Sequence, residues 1–288
     1  MAKTTSKELQ RIALIAGPVR IDDREGHHDY LATCTLMADL LRRVPGIDPL
    51  VIDNGWPQDD RILTHCAGLV FYDGGGGKQQ FLATPERVGR LQQIIDAGAG
   101  LTIIHKSIAF PDAMTAQSVA WLGGTYVPGV SRRGHWRSRH HDLGKHPITS
   151  ALEGWKMDDG WLNNIQFDEA ARQNITPILW SGKRYKGSSA GGDEDIVSWA
   201  YERIGGGRSF CFTGLDAHSD WLLPDLRRLL LNGVLWSVGQ EVPVTGSWCE
   251  MGSKTIDSYL SPRKSTMLAP IKGLWKVAGR KLGLGHNW

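Results

Sequence analysis

Leu101-Thr102-Ile103-Ile104-His105-Lys106-Ser107 is the stretch whose reading decides the fold. Four apolar or β-branched residues in succession, approached through Gly98-Ala99-Gly100, suit a strand covered on both faces of a parallel sheet. After His105 the pattern shifts towards a helix. In open parallel α/β sheets, ligands bind in the crevice outside the carboxyl ends of the strands. His105 therefore stands where chemistry is usually done. A strand-end histidine is also often just bonded to a neighbouring backbone carbonyl, and the sequence leaves both readings open.

Working outward, short apolar runs at residues 11–17 (RIALIAG), 50–52, 68–72 (GLVFY), 177–180, 196–200 and 209–213 read as further strands. Residues 29–43, 85–97 and 222–238 read as helices, the last with Pro224 in its first turn, and residues 118–122 as a helical segment before Gly123-Gly124. Chemistry-bearing residues gather at the strand exits. The polar loop 18–30 holds Asp22, Asp23, His27 and His28; Tyr72 is followed by Asp73 and the glycines 74–77; the strand at 209–213 leads to Gly214-Leu215-Asp216-Ala217-His218. The glycine run has neither the G-x-x-x-x-G-K-[ST] nor the G-x-G-x-x-G spacing, so a tight turn is expected and no nucleotide.

Residues 131–146 (SRRGHWRSRHHDLGKH) are the most basic part of the globular region. Alternation over 136–140 reads as a strand with one wet face: either a solvated edge or a positive wall suited to an anionic or polyhydroxylated substrate. Residues 155–161 (WKMDDGW) read as a loop whose paired acids, Asp158 and Asp159, suit general acid/base chemistry, metal ligation or a simple turn. Residues 181–195 read as an exposed excursion rich in Gly, Ser and Lys.

A chain of 288 residues is long enough for one large domain with appendages. A formal net charge of +3 is too small to argue for nucleic acid. The four cysteines are far apart and form neither a disulfide framework nor a zinc ribbon. No apolar run reaches the length of a membrane span and no secretory apolar region is visible, so a cytoplasmic location is expected. Tryptophan, at 12, outnumbers Phe (6) and Tyr (6); some of these rings must be core, and others would suit sugar rings. The expected division is a tail at 1–10, an α/β domain at 11–243 and a basic C-terminal extension at 244–288. A basic amphipathic helix is expected at 269–284, with a subunit contact as its use and a homo-oligomer as the result.

With these pieces placed, the chain resembles the trehalose-utilisation (ThuA-like) family. The resemblance rests on Ile104-His105, Leu122-Gly123-Gly124, His146-Pro147-Ile148-Thr149, Met157-Asp158-Asp159-Gly160-Trp161, Gly205-Gly206-Gly207-Arg208 through Asp216-Ala217-His218, and the segment Arg228 to Trp236. It implies a three-layer α/β sandwich with a mostly parallel, flavodoxin-like central sheet, of the class I glutamine amidotransferase-like type. In that type the strand-to-helix elbow carries a nucleophilic cysteine; here the elbow reads His-Lys-Ser, so glutamine amidotransfer is not expected. The family's Asp-Glu-Leu-Tyr type motif is Asp158-Asp159-Gly160-Trp161 here, and its Gly-His-Asp type ending is Asp216-Ala217-His218.

The resemblance implies carbohydrate metabolism, with a glycoside or 3-keto-sugar as substrate and acid/base chemistry, metal-assisted or not. His105, Asp159 and His218 are the expected catalytic groups. Tyr72, Asp73, Arg137, Arg139 and Trp161 are expected to hold a small, possibly anionic carbohydrate. His28, His105, Asp216 and His218 suit a divalent ion such as zinc or manganese. The alternative is a sugar-binding or regulatory protein that kept the fold without the chemistry.

Overall fold

The computed structural model describes residues 9–18, 26–75, 82, 84–182 and 191–260. In chain order the elements are β1 (Gln10–Ala16), α1 (Tyr30–Leu41), β2 (Ile47–Ile52), β3 (Gly68–Tyr72), α2 (Pro85–Asp96), β4 (Gly100–Ile104), α3 (Thr115–Leu122), β5 (Gly124–Thr125), β6 (Arg132–His140), β7 (Trp155–Asn163), β8 (Gln166–Phe167), β9 (Ile175–Trp180), β10 (Ile196–Glu202), β11 (Arg208–Phe212), α4 (Pro224–Ser237) and α5 (Ser253–Asp257).

The main sheet has the order β2-β1-β3-β4-β11-β10-β9. Its first five strands pair in parallel, giving the flavodoxin-like order, and β10 and β9 continue it by antiparallel pairing. Every residue of β3 and β4 is buried, as a strand covered on both faces requires. The alternation of β1 shows the layers. Ile12, Leu14 and Ala16 pack with α1 and α4, while Ala13 and Ile15 pack with α2 and α3 on the other face. Helix starts follow local chemistry: the Asp29 carboxylate accepts from Ala32 N at α1, Thr84 and Pro85 open α2, and Pro224 opens α4.

Residues 155–161 form a strand, not a loop. β7 pairs with β6 along its whole length, from His140↔Trp155 to Arg132↔Asn163. Strand alternation then separates the paired acids, leaving Asp158 exposed and Asp159 buried. The tryptophans divide as expected for a large core: Trp121, Trp161, Trp199 and Trp221 are fully buried. All four cysteines are free and buried. No described helix is long and apolar enough to cross a membrane.

The folded body continues past residue 243. Ser247 donates through N and Oγ to Asn232 Oδ1, Arg227 Nε donates to Cys249 O, and Ile256 is buried. The basic helix expected at 269–284 lies outside the described residues, as do Asp22, Asp23, Gly76 and Gly77 and most of the 181–195 excursion.

Gly233 marks where α4 lies closest to the sheet: a Cβ there would stand 2.2 Å from Phe210 Cδ1 and Cε1 on β11. Both partners are buried with no room to yield. Gly233→Ala is expected to lower stability by about 2–3 kcal/mol in urea unfolding; an unchanged midpoint would contradict this packing.

Candidate functional site

β4 ends at Ile104, and the next residue, His105, opens a single 3₁₀ turn, His105–Ile108, with φ of 54°. A left-handed non-glycine residue at a strand-to-helix elbow is strained and persists only where its surroundings fix it. Here the fixing group is the Thr213 carbonyl, 3.0 Å from His105 Nδ1. A carbonyl only accepts, so Nδ1 carries hydrogen and Nε2 faces the opposite way. The structural and functional readings of His105 therefore hold together: the carbonyl bond is what presents Nε2 to the site.

That Nε2 lies 3.3 Å from His28 Nε2 and 3.2 Å from Asp216 Oδ1, and His28 Nε2 also contacts Asp216 Oδ1. His28 and Asp216 come from distant loops that the backbone ties together: His28 N donates to Asp216 O, His218 N donates to Gly26 O, and His27 bridges to Ala217. The other carboxylate oxygen, Asp216 Oδ2, has His135 Nε2 at 3.0 Å and His27 Nδ1 at 3.4 Å. Lys106 Nζ is 2.8 Å from His28 Nε2. Burial alone would raise the Asp216 pKa, but hydrogen bonds and charge from His105 and His28 outweigh it and hold the carboxyl well below the usual carboxylate range.

Asp216 is positioned from beneath by Asp159, which is buried and reaches no open space. Asp159 Oδ2 accepts from Leu215 N at 2.5 Å, and Oδ1 accepts from Asp216 N at 2.9 Å and Gly160 N at 2.7 Å. The Tyr72 hydroxyl donates to Leu215 O, bracing the left-handed Leu215 (φ 75°) from the other side. Asp220 lies against Asp159. Burial raises the pKa of both carboxyls, but three N–H donors work against the rise at Asp159, so Asp220 is the member of the pair that keeps the proton. Gly160 leaves room above: a Cβ there would be 2.8 Å from Asp216 Oδ2.

The cavity over this cluster has a volume of about 320 Å³ and is lined by His28, His105, Lys106, His135, Trp161 and Asp216, among others. Of the expected site residues it unites His28, His105, Asp216 and Trp161. His218 is turned away, its Nε2 2.8 Å from Ile256 O beside α5. Asp159 and Tyr72 support the Leu215–Asp216 turn from the interior. Asp73 is buried, its Oδ1 accepting from Gly75 N, and burial raises its pKa to about 6. Arg137 and Arg139 line a separate cavity further along β6. The additions are His27, Lys106 and His135, and of these His135 has the clearest signal: it shares the wet face of β6 with Arg133, Arg137 and Arg139.

Three groups, His28, His105 and Asp216, offer ligand atoms within 4.8 Å of one another. Two imidazole nitrogens and a carboxylate are a common ligand set for a catalytic divalent cation, and a ligating histidine ordinarily donates its other N–H to a carbonyl, as His105 does.

Behind the ribbon, His140 is wedged against Trp155 and Trp161, with ring centroids 4.8 and 5.6 Å apart. Burial lowers its pKa from 6.5 to about 4. A depressed histidine pKa means that the unfolded chain takes up the proton first as pH falls. The neutral ring's contribution is thus complete above about pH 6.5 and drains away towards pH 4, with a span of about 3 kcal/mol. His140→Phe is expected to gain stability relative to the parent as pH drops from 7 to 4.5. Parallel pH profiles for the two proteins in urea unfolding would contradict this.

A family model described as trehalose utilisation matches residues 23–237. Among solved structures, a putative ThuA-like protein from Bacteroides uniformis ATCC 8492 superposes with a TM-score of 0.58 at 14% identity, over 84% of this chain and 96% of that one. A putative ThuA-like protein from Parabacteroides merdae ATCC 43184 gives 0.55 at 15% identity, over 82% and 92%. At such identities these likenesses concern the fold. No curated protein matches the chain.

Proposed function

The chain belongs to the trehalose-utilisation (ThuA) family, and from that premise we propose that it is a carbohydrate-metabolism enzyme that cleaves a 3-keto-glycoside by elimination at the histidine cluster. The observation that carries the reading is the convergence of His28 Nε2, His105 Nε2 and Asp216 Oδ1 at the carboxyl ends of the sheet. A divalent cation such as zinc or manganese held by these three would polarise the keto oxygen and stabilise the enolate.

The chain's own groups would do the rest. The sugar's C2 proton, acidified by the C3 ketone, goes to the His135 imidazole, at the ring nitrogen that does not face Asp216 Oδ2. That imidazole is on the ribbon over the cavity and 63% exposed, so it can reach a bound sugar. The C2–H electron pair forms the C1–C2 double bond as the C1–O bond breaks. The departing oxygen takes a proton from the Lys106 ammonium, which stands beside His28. The products are an unsaturated keto-sugar and an alcohol, and no oxidant is needed.

The test is turnover of 3-keto-trehalose followed by NMR in deuterated water, before and after chelation. The expected result is cleavage that stops on metal removal and returns with zinc or manganese. Full turnover by metal-depleted protein would overturn the metal-assisted mechanism, and binding without cleavage would reassign the site to sugar recognition.

A further inference from the structure

A cavity larger than the one over the histidines also has a lining that suits a sugar. Arg137, Arg139, Asp142, Trp180 and Asp195 line a second cavity of about 700 Å³, roughly twice the volume of the first. The alternation of β6 relates the two. Arg133 and His135 line the histidine cavity, Arg137 and Arg139 line the second, and all four are exposed on the same face of one strand. His135 and Arg139 are separated by about 13 Å at the rise of an extended chain.

The lining decides what the second cavity suits. Among the described lining residues two guanidinium groups are matched by two carboxylates, a mixed wall rather than a purely cationic one. Asp195 is 2% exposed and fixed by Ser181 Oγ and Gly182 N. Arg139 has no ion pair among the described residues, and the Arg137–Asp158 pair is long at 3.9 Å and solvent-exposed. Neighbouring hydroxyls, which both donate to carboxylates and accept from guanidinium groups, fit such a mixed wall. Trp180 adds apolar ring surface. Two buried polar atoms of the lining, His140 Nε2 and Trp180 Nε1, also have no hydrogen-bond partner among the described residues. Buried polar groups are ordinarily satisfied, and a ligand hydroxyl would satisfy these.

We propose that this cavity is a second carbohydrate subsite, which takes an uncharged sugar unit of the substrate whose reacting unit lies at the histidine cluster. The inference rests on the carbohydrate reading but not on the metal or the elimination. It makes the substrate at least a disaccharide and sets its neutral end by Arg139, Asp195 and Trp180.

The experiment is calorimetric titration of the full-length protein with trehalose, and with glucuronate as an anionic probe. The parent is compared with Asp216→Ala, which disables the histidine cluster, and Arg139→Ala, an exposed position safe for folding; circular dichroism confirms that both variants fold. Trehalose is expected to bind Asp216→Ala still measurably, though more weakly than the parent, and to bind Arg139→Ala at least about tenfold more weakly than the parent. Loss of trehalose binding in Asp216→Ala with retention in Arg139→Ala would place the sugar at the cluster alone and overturn the proposal. So would a parent that binds glucuronate but not trehalose, or neither. Failure of metal-dependent turnover would leave these outcomes unchanged, so the two readings fail separately.

Discussion

Asp216→Ala is expected to abolish metal retention and to lower kcat/KM on a 3-keto-glycoside by at least about a thousandfold, near 4 kcal/mol of transition-state stabilisation. The size follows from the position of this carboxylate. Its Oδ1 meets both His28 and His105, and its Oδ2 meets His135 and His27. Deleting it removes the negative charge that makes the cluster attractive to a cation and leaves four imidazoles without their shared partner. Asp216→Asn keeps the shape and loses the charge. It should bind metal at least about tenfold more weakly, because an amide is a poor ligand beside two neutral imidazoles. Equilibrium dialysis with zinc and steady-state kinetics check both substitutions. Undiminished turnover in Asp216→Ala would remove the cluster from the chemistry.

Asp159→Ala is expected to cost about 3–5 kcal/mol of stability, the largest effect on folding of the substitutions considered. Three backbone N–H groups, of Gly160, Leu215 and Asp216, lose their acceptor inside the protein, and each orphaned donor costs about 1–3 kcal/mol, less than additively. The neighbouring Asp220, protonated beside Asp159, loses its hydrogen-bond acceptor as well. That bond is lost in addition to the three N–H contacts, so every contribution points to destabilisation. Urea unfolding at neutral pH measures it, and a change under about 0.5 kcal/mol would show that the Leu215–Asp216 turn does not depend on Asp159. The same substitution should weaken metal binding through Asp216, although residue 159 never faces the cavity.

Much of the fold was legible because it is written in short-range pattern. The run at 101–104 could be a strand covered on both faces, and β4 is that strand. The strand exits, too, were where the candidate residues were expected to gather, and His28, His105 and Asp216 do meet there. What local pattern cannot carry is direction after a turn. Asp216 and His218 are two residues apart in one strand exit, yet the 3₁₀ turn beginning at His218 sends its ring to Ile256, in a segment expected to lie outside the domain. Asp158 and Asp159 read as neighbours on a loop, with Asp159 the expected catalytic acid. Only the pairing of β7 with β6, a contact across some twenty residues of chain, reveals that one faces water and the other holds a turn. His135 and Lys106 escaped for the same reason. Their roles depend on a ribbon folding back over the sheet and on the elbow at His105; the alternation of β6 puts His135 on a wet face but does not say that this face lies over the cluster.

The central claim is that His28, His105 and Asp216 form one cation site from which His218 is excluded. Elemental analysis of purified protein after incubation with zinc or manganese and removal of excess ion tests it most directly, on the parent, His105→Ala and His218→Ala. The account predicts near-stoichiometric metal in the parent and in His218→Ala, and none in His105→Ala. A metal-free parent, or a His218→Ala protein that loses its metal while remaining folded, would contradict it.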